Sequence, residues 1–101
     1  MDAVALREKD LAVLRGVFRR CRTVREVRVF GSRARGHARR ASDLDLAVSA
    51  PDATPSEWAE LREGLEDAPL IYELDVVRVE QVTSARLKAK IDREGVAIYV
   101  R

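Results

Sequence analysis

In residues 43–48, Asp43-Leu44-Asp45-Leu46-Ala47-Val48, the apolar side chains Leu44, Leu46 and Val48 recur at every second position. Period two marks a strand with one buried face, and slipping the register by one residue would turn the whole apolar set to water. The run therefore constrains both the element and its register. Leu44, Leu46 and Val48 are assigned to the core, and Asp43 and Asp45 project together from the opposite face. Two adjacent carboxylates repel unless solvated or neutralised by a divalent cation, and hard oxygen donors of this kind suit Mg2+. On this run alone, an exposed strand edge and a metal site are both open readings.

The rest of the chain supplies elements around that strand. Residues 3–20 place Val4, Leu11, Leu14 and Phe18 at helical spacing, predicting an amphipathic first helix. Residues 24–30 form a β-rich run with Val27 and Val29 that stops at Gly31, giving the first strand. Thr54-Pro55-Ser56-Glu57 combines an N-cap residue, a proline at the first helical position and a glutamate placed for a capping box. A second helix is expected there, burying Trp58, Leu61 and Leu65 and closing at Ala68-Pro69. Residues 70–79 read as a third strand containing Asp75, residues 83–94 as a last helix burying Leu87 and Ile91, and residues 96–100 as a terminal strand. Gly95 is expected to end the last helix as its C′ residue.

Two further features join the carboxylate pair. Gly31-Ser32 sits at the end of the first predicted strand, where glycine allows close backbone approach and freed N–H groups can point at phosphate oxygens. If the first two strands pair antiparallel, that turn converges with Asp43 and Asp45. Asp75 lies within an apolar strand, where a charge is costly unless a shared metal or one of the many arginines compensates it. Glu73 shares its alternation face and is a substitute ligand. The basic segment with Arg33, Arg35, His37, Arg39 and Arg40 is suited to neutralising a triphosphate, contacting an acidic partner or facing solvent, with His37 read as a surface residue.

Composition narrows the function classes. With 101 residues the chain has room for one domain, residues 1–101, because a chain this size buries roughly two-thirds of its unfolded surface in a single core. A 47% hydrophobic, 36% charged composition fits a folded α/β domain rather than a disordered chain. The net charge of +2 is too small to drive non-specific nucleic-acid binding by global attraction. The single Cys21 forms no internal disulfide, and no signal peptide or membrane-spanning run is seen, so a cytoplasmic protein is expected, with no membrane and no direct nucleic-acid partner.

Taken together, Gly31-Ser32-Arg33-Ala34-Arg35-Gly36, Ser42-Asp43-Leu44-Asp45-Leu46-Ala47-Val48 and Leu74-Asp75-Val76-Val77 resemble the signature of minimal nucleotidyltransferases in the DNA polymerase β superfamily. The ten residues between Ser32 and Asp43, and the ending from Ile91 to Tyr99, resemble the MNT antitoxins of HEPN/MNT toxin–antitoxin pairs. The resemblance implies an α/β (α+β) fold with a small mixed sheet flanked by helices. It also implies transfer of a nucleoside monophosphate from a triphosphate such as ATP, with two Mg2+ ions about 4 Å apart. Asp43 and Asp45 would bridge the metals, and Asp75 would complete the site nearest the acceptor and help remove its proton. Gly31 and Ser32 would hold the outer phosphates, with Arg33 as a charge partner.

The leading expectation is a protein adenylyltransferase acting as antitoxin on a separately encoded HEPN ribonuclease, with a tyrosine hydroxyl as acceptor by family analogy. A non-enzymatic toxin-binding scaffold and nucleotidyl transfer to a small molecule are the alternatives.

Overall fold

The computed structural model describes residues 6–31 and 44–101, and the sheet at its centre is assembled around the alternating run. In chain order the elements are α1 (Glu8–Arg20), β1 (Glu26–Phe30), β2 (Leu44–Ser49), α2 (Pro55–Asp67), β3 (Leu74–Arg78), a 3-10 turn (Val79–Gln81), α3 (Ala85–Glu94) and β4 (Val96–Val100). The strand order is β3-β2-β1-β4, so the chain has a mixed sheet flanked by helices, as expected. β1 runs antiparallel to both β2 and β4, while β2 and β3 are parallel and joined through α2.

Alternation decides which helix covers which face. Leu44, Leu46 and Val48 of β2 and Val27 and Val29 of β1 are fully buried beneath Leu11, Leu14 and Phe18 of α1 and Leu61 and Leu65 of α2. On the opposite face Phe30 and Ala47 pack with Ile91 of α3 and with half-buried Leu87, Val77 and Val79. β1, β2 and β3 thus serve two cores with alternate residues.

Local signals set most boundaries. Thr54 Oγ1 accepts from Glu57 N at 3.1 Å and Glu57 Oε1 accepts from Thr54 N at 2.8 Å, completing the expected capping box with Pro55 behind it. The last helix starts two residues later than expected, at Ala85, because Ser84 Oγ accepts from Leu87 N and makes Ser84 the cap. The third strand is shorter than its apolar run, because Tyr72 ahead of it is drawn toward α1, its hydroxyl donating to Asp10.

Gly95 corrects one expectation. It ends α3, but with φ −65° and ψ 133° rather than in a left-handed C′ conformation. Glycine is needed there for space, since a Cβ would collide with the Ile91 carbonyl oxygen and come within 3.0 Å of Arg28 Cδ. The first helix begins its described course at Glu8, and the expected residues 3–5, with Val4, lie outside the described residues.

Candidate active site

Because β1 and β2 are antiparallel, the end of β1 lies beside the start of β2, with Phe30 opposite Asp45. The next residue, Gly31, turns the chain with φ +78°, a conformation that only glycine adopts without strain. A Cβ built on Gly31 would stand 2.5 Å from Asp45 Oδ2 and 3.5 Å from its Cγ. Glycine therefore serves twice here, giving the turn its handedness and leaving room for the carboxylate against the backbone. The predicted convergence of this turn with the second strand is present at Gly31 and Asp45.

Asp75 comes from a different part of the chain. The parallel β2–β3 ladder sets Asp45 directly opposite Asp75, between the pairs Leu44–Leu74 and Leu46–Val76. Side chains of directly paired residues share a face, and neighbouring strands lie about 4.8 Å apart, so the two carboxylates are side by side. The next pair on that face, Ala47–Val77, is covered by α3, whereas Asp45 is half-buried and Asp75 exposed. The α3 face thus opens one pleat beyond its apolar cover, and the carboxylates occupy the opening.

Asp75 does not pay the burial penalty expected of a charge in an apolar strand. Leu74 and Val76 alternate toward the core, β3 is an edge strand among the described residues, and Asp75 points outward. Glu73, two residues earlier, is exposed on the same face. Its carbonyl accepts from Leu44 N at 2.8 Å, continuing the ladder to the lip of the site. Asp43, Ser32 and Arg33, along with Arg35, His37, Arg39 and Arg40, lie outside the described residues. Among the described residues no cluster of three or more His, Cys, Asp or Glu side chains is arranged to hold a metal. The Asp45–Asp75 pair nevertheless offers the hard oxygen donors that Mg2+ prefers.

Behind the sheet, a polar clasp ties the approach to β3 onto α1. Asp10 is buried to 1% exposure, accepts from Arg7 Nε at 2.9 Å and Nη2 at 3.3 Å, and accepts from the Tyr72 hydroxyl at 2.7 Å. The hydrogen bond from Arg7 holds the Asp10 carboxyl below its ordinary pKa, assisted by Tyr72 and opposed by burial. The i, i+3 spacing of Arg7 and Asp10 is a legible helical pair, but nothing in the sequence points from Asp10 to Tyr72, 62 positions away.

Residues 13–101 match the family described as polymerase beta, nucleotidyltransferase. The chain belongs to that family. The nucleotidyltransferase shares 35% identity with a protein of known structure described as a minimal nucleotidyltransferase, superimposing with a TM-score of 0.68 over 95% of each chain. One chain of a toxin–antitoxin complex with AMP-PNP superimposes with a TM-score of 0.73 at 23% identity, over 91% of this chain and 74% of that one. A chain from the complex of tri-AMPylated Shewanella oneidensis HEPN toxin with MNT antitoxin gives a TM-score of 0.64 at 18% identity, over 95% and 74%. At these lower identities the two complexes share the fold. No curated protein matches the nucleotidyltransferase by sequence. Among its described residues no helix is long and apolar enough to cross a membrane.

Proposed function

We propose that this nucleotidyltransferase is an antitoxin that moves AMP from ATP to a hydroxyl, by analogy a tyrosine hydroxyl, on a HEPN-type toxin. The observation that carries the reading is the placement of Asp45 and Asp75 side by side next to the Gly31 turn in a chain of this family. The likeness to a complex containing a tri-AMPylated HEPN toxin supports the choice of acceptor.

In this reading Asp43, Asp45 and Asp75 hold Mg2+, which when bound supplies Lewis-acid stabilisation of the phosphoryl charge. The Gly31-Ser32 backbone and the Ser32 hydroxyl receive the outer phosphates, and Arg33 pairs with their charge. The acceptor oxygen attacks the α-phosphorus in line, forming a new O–P bond while the bond from that phosphorus to the bridging oxygen breaks. Pyrophosphate leaves, and Asp75, the more open of the described carboxylates, takes the acceptor's proton.

The test is incubation of the protein with α-labelled ATP, Mg2+ and a purified HEPN-type protein. Label is expected on the HEPN protein, and Asp45→Asn should abolish it. An unlabelled HEPN protein in a stable complex with the chain would reject the enzymatic reading in favour of neutralisation by binding.

A further inference from the structure

The two edges of the sheet are finished differently. At β4 the ladder with β1 is interrupted by a bulge between Val27 and Arg28, and Arg15 Nε donates to the Ile98 carbonyl at 2.8 Å. Such irregularities and side-chain covers discourage a further strand from adding. The ladder between β2 and β3 is unbroken over five residue pairs, and no described strand lies beyond β3. Leu44 N donates to the Glu73 carbonyl, so the alternation of a parallel ladder directs the backbone groups of Asp75 and Val77 inward to β2. The N–H and C=O groups of Leu74 and Val76 face outward along the edge.

The side chains of the same strand are also left half-covered. Leu44 and Leu46 of β2 are fully buried, but their neighbours Leu74 and Val76 are only half-buried. With Leu65 and Leu70 they form the apolar part of a mixed notch of about 210 Å³ between α2 and the edge, which Arg62, Glu66 and Tyr72 also line. Ile71, just ahead of the strand, is 61% exposed.

We propose that the β3 edge is the acceptor-docking surface, to which an extended, hydroxyl-bearing peptide segment of the partner adds as a fifth strand. Period two specifies what that segment must carry. A residue paired opposite Asp75 projects on the carboxylate face, bringing its hydroxyl to the candidate site. The residues on either side of it project to the other face, where they meet the half-buried side chains of Leu74 and Val76 as cross-strand neighbours. The preferred acceptor is thus a hydroxyl residue flanked by apolar ones, and the same strand that holds Asp75 selects it. The larger groove between α1 and α2 lies behind the sheet from Asp75 and presents no such relation to the carboxylates. This inference rests on the AMP-transfer reading for its chemistry, but the docking surface is separately measurable.

The probes are two peptides of about seven residues with a central tyrosine, one flanked by valines and one by aspartates. Amide hydrogen exchange of the isotope-labelled chain is followed by NMR with each, and AMP transfer from ATP is measured with Mg2+. The valine-flanked peptide at saturation is expected to slow exchange at Leu74 and Val76 at least tenfold and to accept AMP at least tenfold faster than its counterpart. Leu70→Asp should raise the KM for the peptide about tenfold and leave that for ATP unchanged. Unchanged exchange at Leu74 and Val76, protection in the α1–α2 groove instead, or equal transfer to both peptides would overturn the docking surface. Edge protection with no AMP transferred to either peptide or to the HEPN protein would retain the docking surface and overturn the AMP-transfer reading. Transfer without edge protection would do the reverse.

Discussion

The Tyr72 hydroxyl donates to Asp10 Oδ2 at 2.7 Å, fastening the segment before β3 to the first turn of α1. Three residues beyond Tyr72 stands Asp75, so the clasp fixes the approach of the strand that brings one candidate carboxylate to the other. Tyr72→Phe leaves one oxygen of a buried carboxylate without this donor and should cost about 1–2 kcal/mol. Urea denaturation of the two proteins at neutral pH measures it.

The same clasp predicts a pH dependence. Asp10 has a folded-state pKa below its ordinary value of 3.8, so its contribution to stability is complete above that value and is lost as pH falls through the lower folded-state pKa. Stability should decline below about pH 4, with part of the loss absent in Asp10→Asn, which is weaker at neutral pH but titrates less. Denaturation midpoints of both proteins between neutral pH and about pH 2.5 provide the check.

Gly31→Ala should separate folding from function. An alanine at φ +78° costs roughly 1–2 kcal/mol, whereas the carboxylate its Cβ would strike is the end of a flexible side chain that can swing aside. Displacing Asp45 is expected to lower nucleotidyl transfer at least about a hundredfold, since small misplacements at a reacting centre have effects of that order. Melting temperature and initial rate, measured on one preparation, test the split.

Asp75→Asn should abolish transfer while altering stability by no more than about 0.5 kcal/mol, because the side chain is exposed on an edge strand. Chelation with EDTA should likewise stop transfer and leave the far-UV circular dichroism unchanged. A large destabilisation by Asp75→Asn would assign the carboxylate a structural role instead.

Thr54→Ala removes the acceptor for Glu57 N and frees its reciprocal partner, and should cost about 1 kcal/mol without changing the KM for ATP. Thermal melting and steady-state kinetics report the two effects independently.

Those predictions draw unequally on what could be read in advance. The capping box at Thr54 and the period-two burial of Leu44, Leu46 and Val48 were legible because each depends on neighbours a few positions away. The role of Gly95 differs from the expected one because its backbone is not left-handed, and the space it leaves lies against the Ile91 carbonyl and, across the fold, Arg28 on β1. Asp75 was recognised as a candidate, but its cost was misjudged because exposure depends on strand order, and an edge strand has only one neighbour.

The sequence by itself determined the elements, the face on which each strand carries its polar residues, and the glycine at the end of the first strand, since these follow from side-chain periodicity and backbone sterics. Only the tertiary structure decided that Asp45 and Asp75 stand opposite one another, that Gly31 makes room for Asp45, and that Asp10 is clasped by Tyr72. Each of these relations joins residues distant along the chain or set by strand pairing, and pairing is settled by the free energy of the whole packed sheet rather than by any segment of it.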